Sequence, residues 1–513
     1  MSNTLSQKKL PEFTIWQFIN LCMGAVGLQF AWSMQIQLTG RVTEPLGATP
    51  LILGLIWLAG PITGIIVQPI VGAISDNMWT GFGRRRPFLL VGAILGSLAL
   101  VGMPYSPTLL MAASMLWIID ICVNVSQGPH RALIPDNVPS SQTALANSFI
   151  SFGFGLGAVI AFGFPFILKE ILNYQIGIKE QFIVGAVALT TAMLWTVITT
   201  PENNKPEPSE DVKKDSPFES IKMFLISSLI SGGILAVAIF AAGFPGQFDP
   251  SNSKFIQDAL AWFVLILSFP MLGMALKSFY TPEIGKLCSM QYFTWLGIMC
   301  LFIYFNNYVV HNIYLTPDLT EASQVIKDMF EPTVLEATNL SGIALAAFNL
   351  VCVIVSIPLG ILCNKFGKKN VHAFALTCMG LAFLGAAFFA KTPAMVVGFI
   401  ALAGIGWAST LTIPFALLMD NMKKGKEGSS LGKFNLFVAG PQILSSIAVG
   451  YLINRNPVML ESGGSTHHWE YSLIVAGGAL ILAALVALTL KREMPLEQNI
   501  IETQEQEKIP ATV

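Results

Sequence analysis

Apolar runs long enough to cross a bilayer recur along most of this 513-residue chain, and no other feature restricts its fold so severely. A backbone in hydrocarbon must satisfy its own N–H and C=O groups, which leaves helices or a closed barrel. The runs match the ~20 residues a helix needs to cross a core ~30 Å thick. Fourteen helices are expected, at about 15–40, 51–76, 87–107, 109–135, 142–168, 180–200, 219–243, 257–279, 291–314, 338–363, 371–390, 394–419, 432–453 and 470–490. Charged residues are 12% of the chain, about half the ~25% of a soluble domain. The chain therefore reads as an all-α polytopic membrane protein.

Basic residues give the orientation. With the N-terminus inside, 22 of the 29 Lys and Arg fall in cytoplasmic segments and seven in outer ones. That bias places both termini in the cytoplasm. The first run is too long for a signal-peptide core and lacks a small-residue cleavage site, so it reads as a retained helix.

Two short inner loops hint at an internal repeat. One follows the second helix, Ser75-Asp76-Asn-Met-Trp-Thr-Gly81-Phe-Gly83-Arg84-Arg85-Arg86-Pro87. The other follows the tenth, Asn364-Lys365-Phe366-Gly367-Lys368-Lys369. Setting the helices at 219–243 and 257–279 aside as an insertion puts both loops at the same place in two six-helix halves, the plan of a transporter built from parallel repeats. The expected organisation is an N-terminal six-helix bundle at 1–200 and a cytoplasmic linker at 201–218. An inserted helix pair with its connection follows at 219–290, then a C-terminal six-helix bundle at 291–490 and a cytoplasmic tail at 491–513.

Several classes are excluded. A net charge of −1 and the lack of a basic patch argue against nucleic-acid binding. The seven cysteines lie in or beside apolar runs without a CxxC pair, so neither a disulfide framework nor a metal site is indicated. The five histidines (His130, His311, His372, His467, His468) are scattered, and no paired carboxylates mark an enzyme. No cofactor is called for, and oligomeric state is not legible.

One carboxylate stands out. Asp120 sits mid-run between Leu109 and Ile134, near the centre of the hydrocarbon. A charge there costs at least ~2.5 kcal/mol, so such a residue is protonated, paired or facing water, and is functional by default. Asn124, Gln127 and Arg131 follow at steps of four, three and four residues. At about 100° per residue all four share one face, a polar stripe of the kind that lines a transport pathway. Asn124 and Gln127 are placed either to bind substrate hydroxyls or to hydrogen-bond a neighbouring helix.

Further candidates surround the stripe. The first helix offers Gln29, Trp32 and Gln35, two amides for hydroxyl pairs and an aromatic face for the apolar side of a sugar ring. In the second half Asn306, Trp407 and Asn435 are deep polar or aromatic positions. Asp76, Arg84, Arg85 and Arg86 at the inner surface fit a conformational latch or simple topology signals. Arg131, with Asp136 beyond it, belongs to the same gating layer.

These residues carry a resemblance. Gly27-Leu-Gln29-Phe-Ala-Trp32-Ser-Met-Gln35, Trp57-Leu-Ala-Gly60-Pro61-Ile-Thr-Gly64-Ile-Ile-Val-Gln68-Pro69-Ile-Val-Gly72, Gly83-Arg84-Arg85-Arg86-Pro87 and Asp120-Ile-Cys-Val-Asn124-Val-Ser-Gln127-Gly128-Pro129-His-Arg131-Ala-Leu133 are similar to the sucrose-transporter branch of the glycoside–pentoside–hexuronide:cation symporters, within the major facilitator superfamily. Ile413-Pro414-Phe415-Ala416 and Gly432-Lys-Phe-Asn435-Leu-Phe-Val-Ala-Gly-Pro441-Gln442 extend the likeness into the second half, and Gly406-Trp407-Ala408-Ser409 looks closer to bacterial maltose and sucrose permeases. The resemblance implies a major facilitator fold of two six-helix bundles, here with two inserted helices. It also implies import of a disaccharide or α-glucoside by proton symport, with the helix-four aspartate as the coupling carboxylate. Plant and animal members carry an acidic cluster where this chain reads Tyr304-Phe-Asn306-Asn307-Tyr308, so stoichiometry and sugar preference do not transfer. A sodium-coupled glycoside carrier, a symporter of another polar metabolite and a non-transporting sugar sensor are the alternatives. The expected partners are the sugar, the proton and the bilayer of the cell membrane.

Overall fold

The computed structural model describes residues 11–139, 142–202, 283–319, 322–421, 427–454, 457–460 and 465–491. Twelve expected spans fall on these residues, and each is helical. They are α1 (Ile15–Thr43), α2 (Ala59–Asn77), α3 (Arg86–Gly102), α4 (Leu109–Asn137), α5 (Thr143–Leu172), α6 (Ile178–Thr199), α7 (Glu283–Tyr308), α8 (Gln324–Phe366), α9 (Lys368–Phe389), α10 (Pro393–Asn421), α11 (Glu427–Leu444) and α12 (Glu470–Leu488). The expected helices at 219–243 and 257–279, the linker past Glu202 and the tail past Lys491 lie outside the described residues.

Among the described residues, eleven spans are long and apolar enough to cross a membrane. The exception is α1, which carries Gln17, Asn20, Gln29, Ser33, Gln35 and Gln37. Its polarity is tolerated because 18 of its 29 residues are buried against protein. Its start is locally encoded: Thr14 accepts from the Gln17 N–H while the Gln17 side chain accepts from the Thr14 N–H, a capping box.

Two helices differ from their expected bounds. The helix α8 begins at Gln324 rather than near 338 and runs for 43 residues, about 65 Å at 1.5 Å per residue. Its first turns carry Lys327, Asp328, Glu331 and Glu336 among apolar residues, which breaks the apolar run there. Two spans are also interrupted. The second breaks at Trp57–Leu58, between a short helix Pro50–Ile56 and α2, and the eleventh passes through a π turn at Ser445–Val449 before Gly450–Asn454.

The chain divides into two compact units, one from residues within Met1–Thr49, Ile56–Met223 and Leu319–Ala346, the other from Pro50–Leu55, Phe224–Asp318 and Ala347–Val513. In the first, α1 packs on α5 and α6, α3 on α4 and α6, and α2 on α4. In the second, α9 packs on α10 and α12, and α7 on α11 and α12.

Lipid tails are as apolar as leucine, so close packing and hydrogen bonds hold these helices together. On α3, a Cβ added to Gly92 would lie 2.2 Å from Ser126 Oγ and 2.5 Å from the Cys122 carbonyl oxygen of α4. Ser126 Oγ donates to the Leu89 carbonyl at 3.2 Å, and a ring nitrogen of His130 lies 2.9 Å from the Leu21 carbonyl of α1. Together these contacts fix α4, the helix bearing the polar stripe.

The histidines are less scattered than their spacing implies. A hairpin, β1 (Pro457–Met459) paired antiparallel with β2 (Ser465–His467), brings its strand back to Asp318, whose N–H donates to the Ser465 carbonyl at 2.8 Å. There His311 stacks on Trp469 at 5.4 Å and His467 meets the same ring edge-on at 6.2 Å. His467 Nε2 lies 3.4 Å from Asp318 Oδ2, and His468 Nδ1 lies 2.5 Å from Glu470 Oε1.

Gly92→Ala is expected to lower stability by about 1–3 kcal/mol, because the neighbouring backbone carbonyl cannot yield to the methyl. Gly128→Ala, where nothing lies within 4 Å of the added Cβ, is expected to be neutral or mildly stabilising. The thermal midpoints of both variants in detergent provide the check.

Candidate functional site

The helix α4 begins where the Thr108 side chain accepts from the Met111 N–H at 3.3 Å. Eleven residues further into the helix Asp120 is 3% exposed. Its Oδ2 has no hydrogen-bond partner, and neither does Nε2 of Gln35 on α1, the side chain that bears most directly on the carboxyl. No ion pair reaches Asp120 among the described residues. A Cβ on Gly60 of α2 would stand 3.8 Å from Oδ2, so beside the carboxyl this helix presents only backbone.

One turn on, the amides are tied to α2. Asn124 Nδ2 donates to Thr63 Oγ1 at 3.0 Å and to the Asp120 carbonyl at 2.9 Å. Gln68 Nε2 donates to Asn124 Oδ1 at 2.6 Å and to Gln127 Oε1 at 2.8 Å. Of the two roles open to Asn124 and Gln127, the structure displays the helix–helix one. Thr63 and Gln68 were not singled out as site residues in the sequence. The signal was present, since Gly60, Gly64 and Gln68 repeat at four-residue steps as Asp120 and Asn124 do, but pairing the two series needs the helix register.

Trp32 stacks on Phe154 of α5 at 6.1 Å, and the Arg131 guanidinium lies 6.0 Å from the same Phe154 ring. Arg131 is exposed. Its position is thus beside the aromatic pair that includes Trp32, whereas Asp136 pairs with other cations. Gln29 Nε2 reaches Ser33 Oγ at 3.5 Å on α1 itself.

In the second unit, Trp407 is boxed by Trp295 at 6.1 Å, Phe302 at 5.6 Å and Phe348 at 5.9 Å. Asn306 is buried in α7 at 6% exposure. Asn435 lies in α11, with its side chain outside the described residues.

The arginine loop is built around two acids. Arg84 and Arg85 both pair with Asp136 at the end of α4, the latter at 3.0 Å through Nε. Arg85 also donates to Ser75 Oγ at 2.5 Å. Glu202, just past α6, accepts from the backbone N–H groups of Arg84, Arg85 and Arg86, each at 2.9 Å. A carboxylate there satisfies donors that open α3 and complements its positive dipole end. Gly83 makes the approach possible. It has φ +99°, and a Cβ on it would lie 2.7 Å from Glu202 Cδ. Arg86 contributes its N–H to this cap, and the Asp76 side chain lies outside the described residues.

Comparison with known proteins follows this geometry. A model of the Major Facilitator Superfamily matches residues 21–306 and again 294–512. Sucrose transport protein SUC4 of Arabidopsis thaliana is 24% identical over 532 residues, covering 92% of this chain and 90% of the relative. General alpha-glucoside permease of Schizosaccharomyces pombe is 29% identical over 211 residues, 38% of either chain. Among solved structures, peptide transporter POT in complex with sulfate superposes with TM-score 0.60 at 13% identity, covering 94% of this chain and 96% of that one. Nucleoside transporter NupG superposes with TM-score 0.57 at 12% identity, covering 93% and 99%. At such identities the superpositions show the fold alone.

Glu202→Gln and Asp136→Asn are each expected to cost about 1.5–3 kcal/mol, the range of hydrogen bonds to a charged group. Thermal unfolding in detergent at low and high salt tests this. Losses that shrink as salt rises are expected, because part of each contribution is screened.

Proposed function

The chain belongs to the major facilitator superfamily, and on that premise we propose that it imports a disaccharide or α-glucoside of the maltose or sucrose type by proton symport. The observation that carries the reading is Asp120, mid-span and 3% exposed, with a carboxyl oxygen that no described group satisfies. A buried group in that condition gains most from being neutral, and a proton delivered from one side of the membrane neutralises it. Similarity to sucrose transport proteins and to an alpha-glucoside permease supports the sugar class.

In the proposed cycle the site faces each side of the membrane in turn. Asp120 takes a proton from outside, and sugar binds among Gln29, Trp32, Gln35, Asn124 and Gln127 in the first unit; in the second unit Asn306, Trp407 and Asn435 are proposed separately as sugar-binding residues. The loaded carrier turns inward and releases sugar, and Asp120 then loses its proton to cytoplasmic water. Proton and sugar must favour the same transition, or neither could drive the other. The Arg84–Arg85–Asp136–Glu202 cluster, at the face proposed to be cytoplasmic, acts as a latch that the transition breaks and remakes. Both termini are assigned to the cytoplasm of a cell-membrane carrier.

Uptake of labelled maltose and sucrose into proteoliposomes tests the reading. Wild type is expected to accumulate sugar when a pH gradient is imposed and to ignore a sodium gradient. Asp120→Asn is expected to lose gradient-driven accumulation at least tenfold, about 1.4 kcal/mol of driving coupling, while retaining sugar counterflow. Undiminished accumulation in the variant would reject Asp120 as the proton site.

A further inference from the structure

The helices α2 and α4 lie in parallel register. Gly60, Gly64 and Gln68 descend one face of α2 opposite Asp120, Asn124 and Gln127. A Cβ on Gly60 or Gly64 would stand 3.8 Å from Asp120 Oδ2 or Asn124 Oδ1, so Gln68 is the first long side chain on this series. Along the seam, every amide hydrogen of two residues is used. Gln68 Nε2 spends both on Asn124 Oδ1 and Gln127 Oε1. Asn124 Nδ2 spends both on Thr63 Oγ1 and the Asp120 carbonyl.

Two groups are left over. Gln68 Oε1 is an acceptor and Gln127 Nε2 a donor, and neither hydrogen-bonds to a described residue. Gln68 is half-buried and Gln127 is 6% exposed, and neither atom is among the buried polar atoms that lack partners. The 2.8 Å bond from Gln68 Nε2 to Gln127 Oε1 ties the two carboxamides to one another.

We propose that Gln68 Oε1 and Gln127 Nε2 form a paired acceptor and donor for two neighbouring hydroxyls of the transported sugar, with Asn124 and Thr63 as the brace that aims them. The inference rests on the sugar-carrier reading above and adds Gln68 as a specificity-determining residue. One hydroxyl donates to Gln68 Oε1 while its neighbour accepts from Gln127 Nε2. A hydroxyl can do either, so a neutral polyol satisfies both ends. The pair therefore reads two neighbouring positions, one that must donate and one that must accept, a condition a vicinal diol meets and an analogue lacking either hydroxyl does not.

The test uses counterflow in proteoliposomes without any ion gradient, which separates binding from proton coupling. Maltose and each of its monodeoxy analogues compete against labelled maltose, or against labelled sucrose with its corresponding analogues if sucrose is the sugar carried. Gln68→Met and Gln127→Met keep side-chain length and remove the amide. Each is expected to weaken the parent sugar at least ~10-fold, since a site built for a hydroxyl discriminates strongly once the bond is lost. For Gln127→Met one monodeoxy sugar should bind as it does to wild type, while Gln68→Met, which also removes the bond that aims Gln127, should lose discrimination at that hydroxyl and at one neighbour. Unchanged parent affinity, uniform weakening across the panel or non-adjacent hydroxyls would overturn the pair. Should Gln68→Met fail to fold, Gln68→Asn keeps the amide but withdraws it by a methylene, and the same pattern is required of it. Wild type that exchanges neither sugar would overturn the carrier reading itself, and this inference with it. Wild type that exchanges sugar while the variants match it would overturn the inference alone.

Discussion

A carboxyl group buried mid-span, with one oxygen unsatisfied, dictates what the helices around it can be. Hydrocarbon supplies no water to solvate it, so the protein must supply every polar contact. Here α1 brings Gln35 to the carboxyl, α2 offers bare backbone at Gly60, and α4 carries the group itself. The polarity of α1 follows from the same demand. A helix that must face this carboxyl cannot be as apolar as its neighbours, and it survives in the membrane because most of it is buried.

A second pair of acids, Asp136 and Glu202, is handled in the opposite way. Both are saturated, Asp136 by two guanidiniums and Glu202 by three backbone N–H groups. Their electrostatics are those of an ordinary helix cap and ion pair, and they lock a loop rather than leaving a group ready to change charge. The contrast, read from hydrogen bonding alone, is between two saturated carboxylates and one left with an unsatisfied oxygen.

Much of this was legible in the chain. Long apolar runs fix helices because no alternative satisfies the backbone, and the spacing of Asp120, Asn124, Gln127 and Arg131 fixes their shared face. What was not legible depends on which helix lies beside which. Gln68 reads as one polar residue in an apolar run until α2 is set against α4. Glu202 reads as one acid at the start of a linker that also holds Glu207, Glu210, Asp211 and Asp215, and only the fold shows that it caps α3. Arg131 shares its periodicity with the polar stripe but its surroundings with Phe154 and Trp32. The first turns of α8 were missed because helix length and membrane thickness are separate quantities, and hydropathy reports only the second.

The register of α2 against α4 has a mechanical consequence. Sliding one helix past the other by a single residue means a ~1.5 Å shift and a ~100° turn, which would carry the Thr63, Gln68, Asn124 and Gln127 groups out of reach of one another. The seam behaves like a splined joint, free to tilt as a whole but unable to slip. Any change of shape in the first unit must then be absorbed at softer points. The break at Trp57–Leu58, just before the splined length in the chain, is where this span is already interrupted.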